Sequence, residues 1–249
     1  MGGILDKVEM TRRMCPVIFL LDTSGSMDGR PIGAVNAAIE GVLPELQSMN
    51  DENGDAEIKI AIMTFSSGPD WVTGDQLVSP DSFAWNSLDA AGPTAMGAAF
   101  RELNSKLSVD KGFMKRASGS VAPVLFLLSD GAPTDDYESG LQKLKNNNWY
   151  KVAIRVAIGY GDADDNILAE FTGNTETVLH TNNPEDLKNM IRFVSITSSM
   201  VASRKVDPGN SNNNPDDNTS VLADEIEARG GEEAAAKGEI SAAKADEAW

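Results

Sequence analysis

The sequence predicts an α/β protein: a mostly parallel central sheet of about six strands, one of them an antiparallel edge strand, with helices on both faces. Two apolar runs, Pro16–Leu21 and Pro123–Leu128, have the length and composition of fully buried strands. Each ends abruptly in an acid, Asp22 after the first and Ser129-Asp130 after the second. Around them, short apolar runs alternate with segments of helical period as far as residue 203, the pattern of a parallel sheet covered on both sides. Ligands in such sheets gather at the carboxyl ends of the strands, where both aspartates would lie.

The elements follow in order. After the lead strand, Pro31 is placed to open a helix, and Ile32, Val35, Ala38, Ile39, Val42, Leu43 and Leu46 keep its period before the polar stretch Met49–Gly54 ends it. Ile58, Ile60, Ile62, Met63 and Phe65 read as a second strand. Ser67-Gly68-Pro69 breaks it, and Trp71–Val78, kinked at Gly74, reads as a short third strand at an edge. The Gly/Pro loop Ala90–Gly97 leads into a helix over 94–107, and 110–122 is a polar connection. The second buried run is followed by a helix over 134–146 that the asparagines 146–148 terminate. Val152–Ile158 is the fifth strand, a short helix ends near Phe171, and Thr177–His180 is the last strand. Pro184 opens a final helix with Leu187, Met190, Ile191, Val194 and Ile196 along one stripe.

Composition changes at Ser203, which sets two parts: a domain over 1–203 and an acidic, largely disordered tail over 204–249. Residues 207–220 contain nothing apolar to bury. Beyond them, Gly230-Gly231 and Gly238 interrupt what would otherwise be a helical segment. Residues 205–249 carry 11 acids and four bases, a net charge of −7 out of −17 for the 249-residue chain. That balance argues against a nucleic-acid-binding face, which would be basic. No apolar run approaches the roughly 20 residues of a spanning helix, and Met1–Glu9 lacks the basic start of a signal peptide. The single cysteine, Cys15, cannot form an internal disulfide. Together these lead to the expectation of a cytoplasmic protein with no membrane contact.

The candidate chemistry lies in three segments. Asp22-Thr23-Ser24-Gly25-Ser26 leaves the first strand with a carboxylate and two hydroxyls, hard oxygen donors suited to an Mg²⁺-type site. Thr94 stands in Gly92-Pro93-Thr94-Ala95-Met96-Gly97, and Asp130 in Ser129-Asp130-Gly131-Ala132-Pro133-Thr134-Asp135. In type and order these segments resemble the metal-ion-dependent adhesion site (MIDAS) of von Willebrand factor A (vWA) domains, over roughly residues 14–200. The resemblance implies a Rossmann-like fold and a non-enzymatic, metal-dependent protein-binding module. It also implies an Mg²⁺ site, with Mn²⁺ or Ca²⁺ as alternatives. Ser24, Ser26 and Thr94 would offer oxygens directly, Asp22 and Asp130 largely through water, and a partner's acidic residue would complete the shell. The second and third segments further resemble bacterial TerY-type proteins of tellurite-resistance and stress-response systems, a family associated with a protein kinase and a PP2C-type phosphatase.

Other candidates are weaker. Asp162, Asp164 and Asp165 suit a helix cap better than a second cation site. His180 has no metal-ligating neighbour at zinc spacing, and no Gly-x-x-x-x-Gly-Lys-Ser/Thr phosphate loop is present. Two alternatives to the binding module stand open: a metal-assisted phosphohydrolase using Asp22 or Asp130, and a scaffold that binds through its acidic tail. The first lacks a Lys or Arg at motif spacing to hold phosphate charge. Trp249, at the end of that tail, is the tryptophan most suited to a partner.

Overall fold

The computed structural model describes residues 12–52, 56–114, 120–203 and 218–238. Strand β1 (Arg13–Asp22) lies between β2 (Ala56–Phe65) and β4 (Val124–Ser129). The full strand order is β3-β2-β1-β4-β5-β6, with β3 at Pro69–Trp71, β5 at Ile154–Tyr160 and β6 at Val178–Thr181. All neighbours are parallel except β2 and β3. This is the expected α/β architecture with its antiparallel edge.

Because side chains alternate across a strand, β1 feeds two cores. Val17, Phe19 and Leu21 face α1 (Arg30–Glu52) and α6 (Pro184–Ser203). Ile18 and Leu20 face α2 (Met96–Lys106) and α3 (Tyr137–Lys145), with Phe171 of α5 (Asp165–Thr172) in the same layer. From Cys15 onward both faces are buried, so β1 has no charged position between there and the rim at Asp22. Register then decides what meets there: Leu21 stands opposite Leu128, so Asp22 comes beside Ser129.

Several elements differ from the sequence reading for local reasons. Helix α1 continues to Glu52, because the buried Asn50 accepts from the Ile58 amide at 2.6 Å and donates to the Ile58 carbonyl at 3.0 Å. The third strand shrinks to Pro69–Trp71, since the chain turns at Gly74 and rejoins β2 through the Ile60–Val78 bridge. Thr73 Oγ1 takes the Ile62 amide there, replacing a ladder bond. The asparagines at 146–148 start a helix as well as ending one: Asn147 caps α4 (Asn148–Val152), and β5 begins only at Ile154.

The largest difference is at the C-terminus. Part of the segment read as a largely disordered tail forms α7 (Asn218–Ala228) and α8 (Gly231–Lys237). Leu222, Ile226 and Ala235 are buried against the same core that α6 covers. Thr219 Oγ1 accepts from the Arg155 amide and donates to the Ala153 carbonyl, tying α7 to the start of β5. Asn189 of α6 donates to the Ala236 carbonyl at 2.8 Å, and the Glu232 carboxylate accepts from the His180 amide of β6 at 3.0 Å. Residues 204–217 and 239–249, Trp249 included, lie outside the described residues. No helix among the described residues is long and apolar enough to cross a membrane.

Candidate metal centre

Three loops meet at the carboxyl ends of β1 and β4. The first leaves β1 at Asp22, whose Oδ1 accepts from the Ser24 amide at 2.8 Å, and enters a 3₁₀ turn at Gly25–Met27. It is fastened to the second loop by Gly25 N–H on the Gly92 carbonyl and Ala91 N–H on the Thr23 carbonyl, both 2.9 Å. Gly92 is required there: its φ is +88°, and a Cβ would sit 2.9 Å from Ser67 Oγ. The second and third loops are tied by a reciprocal pair at one residue. Thr94 N–H donates to Thr134 Oγ1 at 3.1 Å, and Thr134 N–H donates to the Thr94 carbonyl at 2.9 Å.

All five residues expected at the site, Asp22, Ser24, Ser26, Thr94 and Asp130, are brought to this rim. Ser24 Oγ and Ser26 Oγ are 3.1 Å apart, and Ser26 Oγ donates to Asp130 Oδ1 at 2.7 Å. A Cβ on Gly131 would lie 3.7 Å from Ser26 Oγ and 3.9 Å from Thr94 Oγ1, so hydroxyls from two loops face the same point of the third. Asp22, Ser24, Thr94 and Asp130 are buried, whereas Ser26 is exposed at the mouth.

The donor set fits a small hard cation. Six oxygens at about 2.0–2.1 Å around Mg²⁺ place neighbouring oxygens about 2.9 Å apart, and the 2.7 Å and 3.1 Å separations bracket that edge. Among the described residues no group of three His, Cys, Asp or Glu side chains could hold a metal, so any such ion must rely on hydroxyl oxygens beside two carboxylates. Burial raises the Asp22 pKa, against the hydrogen bonds from Ser129 and Ser24 that favour its charge. Burial likewise raises that of Asp130, partly offset by the Ser26 hydrogen bond and reinforced by the neighbouring charge of Asp22. A cation between the two acids would reverse that balance.

Three supporting residues escaped the sequence reading, although all lie in segments it had singled out. Ser129 Oγ donates to Asp22 Oδ2 at 2.6 Å, so both Asp22 oxygens are held by neighbours, which suits a role through water. Thr134 clasps Thr94. Asp135 accepts from the Gly97 and Ala98 amides, each at 2.8 Å, and so caps α2 from the third loop, with Arg101 on the same carboxylate. Asp135→Ala is expected to cost about 1–2 kcal/mol from the lost cap. It should also weaken metal binding by loosening Thr94, with thermal melts and metal titration as the two readouts. A variant as stable as wild type would show that the cap does not hold the loop.

Two of the acids at 162–165 are held by neighbouring groups of the fold. Asp164 caps α5 by accepting from the Asn166 amide at 2.9 Å, and Asp165 Oδ1 is 2.7 Å from His180 Nδ1. Burial lowers the His180 pKa, but the hydrogen bond and charge of Asp165, the Gly161 carbonyl and the Glu232 charge outweigh it, and the net shift is upward. With the folded value above the unfolded one, His180 contributes stability that is complete below the unfolded pKa of about 6.5 and lost as pH rises through the folded value. As the sole histidine, its imidazole proton signal is expected to titrate above 6.5 and to fall in Asp165→Asn. A midpoint at or below 6.5 in the wild type would contradict the pairing.

A sequence model of the von Willebrand factor type A domain matches residues 17–193. The chain belongs to that family. The match ends within α6, so α7 and α8 lie beyond it. Over 191 residues, 75% of this chain, it is 26% identical to the human collagen alpha-6(VI) chain, of which it spans 8%. Similar folds occur in a von Willebrand factor type A protein from Catenulispora acidiphila (TM-score 0.56, 21% identity, 76% of this chain and 43% of that one). Another is the ArnB paralog VWA2 from Sulfolobus acidocaldarius (TM-score 0.52, 18% identity, 72% and 44%). Proximal thread matrix protein 1 from the mussel byssus, in a structure with a zinc-occupied MIDAS motif, is a third (TM-score 0.57, 15% identity, 73% and 47%). The chain thus spans less than half the length of these three solved proteins.

Proposed function

We propose that this vWA protein is a divalent-metal-dependent protein-binding module and not an enzyme. Asp22, Ser24, Ser26, Thr94 and Asp130 would hold Mg²⁺, with Mn²⁺ or Ca²⁺ as alternatives. When bound, the ion supplies a Lewis-acidic position that a carboxylate of a partner protein can fill. The observation that carries this reading is the convergence of three hydroxyls and two carboxylates from separate loops on one rim, with neighbouring oxygens at octahedral-edge spacing. Three neutral donors and two acids leave a dication short of ligands, and the exposed Ser26 marks the side from which another can arrive. Support for a non-catalytic role comes from the hydrogen bonds of the five residues: among the described residues, no Lys or Arg side chain is bonded to any of them.

The Gly92–Gly97 and Ser129–Asp135 segments support a place among TerY-type proteins, in a cytoplasmic tellurite-resistance or stress-response system with a Ser/Thr kinase and a PP2C-type phosphatase as partners. The test is a pull-down from native cytosol with wild type and Asp22→Ala, each in Mg²⁺ and in EDTA. A partner retained only by wild type with Mg²⁺ is the expected result. The same partners in all four lanes would remove the metal site from the contact surface.

A further inference from the structure

Both oxygens of Asp22 are claimed by donors of the fold. Oδ1 accepts from the Ser24 amide at 2.8 Å, and Oδ2 accepts from Ser129 Oγ at 2.6 Å. The Ser129 hydroxyl has a single hydrogen to give. The Gly131 carbonyl lies farther away, at 3.3 Å, so the shorter bond to the Asp22 carboxylate takes it. Ser129 is fully buried at the end of β4, opposite Gly159 of β5 and beside Asp22 of β1, which confines its side chain. Asp22 is therefore held from two sides, by its own loop and by the neighbouring strand.

That hold bears on which dication the rim accepts. Mg²⁺ keeps to an octahedron and usually retains several waters, whereas Ca²⁺ takes about six to eight oxygens and readily binds a carboxylate through both of its own. With six ligands at about 2.3–2.6 Å, Ca²⁺ would spread neighbouring oxygens to roughly 3.3–3.7 Å. The rim holds them at 2.7 Å and 3.1 Å. Edges this short suit Ca²⁺ only when it gathers seven or eight ligands, for which a carboxylate binding through both oxygens is the usual source. Asp22, with both oxygens occupied, is denied that role. Given the divalent-metal site proposed above, we propose that Ser129 determines its specificity: by holding Asp22 it sets the rim for Mg²⁺ and against Ca²⁺. Ser129 acts through Asp22 and is a positioning residue, and such outer contacts commonly change metal affinity by about 10- to 100-fold.

The test is calorimetric titration of the full chain with Mg²⁺ and, separately, with Ca²⁺. Wild type is compared with Ser129→Ala, which removes the hydroxyl, and with Ser129→Thr, which keeps it. Melting curves in EDTA check that both variants fold. Wild type is expected to prefer Mg²⁺, Ser129→Ala to lose about tenfold of that preference, and Ser129→Thr to retain it. A merely structural role would weaken both ions alike and leave their ratio unchanged. An unchanged ratio in Ser129→Ala, a wild type that prefers Ca²⁺, or a Thr variant that behaves like the Ala variant would overturn the proposal while leaving the metal site standing. A wild type that binds neither ion would overturn the metal site itself, and this proposal with it.

Discussion

In EDTA, Asp130→Asn is expected to melt above wild type, and in Mg²⁺ below it. The variant keeps the shape of the side chain and an oxygen to accept from Ser26, but removes a buried carboxylate that faces the charge of Asp22. Without metal that carboxylate costs stability, because burial and a like charge both oppose its ionised form. With metal the sign reverses. A ligand at a hundredfold excess over its Kd adds about 2.7 kcal/mol to the wild type, or roughly 5–10 °C in a domain of this size. The variant, with one acid left in its donor set, should gain little of it. The two proteins would therefore exchange rank when EDTA is replaced by Mg²⁺, an outcome that a purely structural role for Asp130 does not produce. An Mg²⁺ response in the variant equal to that of wild type would remove Asp130 from the proposed site.

Gly97→Ala is expected to lose both stability and metal response. A Cβ at this position would lie 2.3 Å from the Asp136 carbonyl oxygen, a backbone atom that no rotamer change can move aside. The reverse contact is equally tight, with a Cβ on Gly140 of α3 falling 2.5 Å from the Gly97 carbonyl oxygen. Helices α2 and α3 thus approach at backbone distance, and overpacking such a contact costs about 1–3 kcal/mol or more. The consequence reaches the rim because the Gly97 amide is one of the two that Asp135 caps, and Thr94 lies three residues away in the same loop. Relieving the clash pulls α2 from the third loop and separates Thr94 from Thr134. Thermal melts should show a loss of about 2–4 °C for each kcal/mol, and the shift induced by Mg²⁺ should shrink with it. A destabilised variant with a full metal response would show that the helix contact and the site are independent.

The parts of this molecule that could be read in advance are those whose cause is local. The run from Pro16 to Leu21 is apolar because both of its faces are buried, and it stops where the strand reaches the rim, so the position of Asp22 follows from the run itself. The three loops were likewise legible as short segments. What stayed hidden depends on partners far along the chain. Nothing adjacent to Ser129 announces that it will serve Asp22, 107 residues earlier. Asp135 caps a helix that begins 39 positions before it. Helix α7 was disguised by its charges: Glu225 and Arg229 look like a solvated face, yet they are buried and paired at 2.6 Å, and the apolar anchors Leu222 and Ile226 are sparse. The glycines that argued against helix here, Gly230-Gly231 and Gly238, start α8 and end it.

The bond from His180 to Glu232 has a consequence for how copies of this protein behave in a crowded solution. β6 is the outermost strand on its side of the sheet, and the row of amides on such a strand is a template for another chain to pair with. Glu232 occupies one of those amides, and α7 and α8 bring negative charge alongside it. At the opposite border the last strand is only three residues long. Neither margin offers the long, flat ribbon on which fibrils nucleate, and the C-terminal helices thereby guard the sheet against self-templated growth.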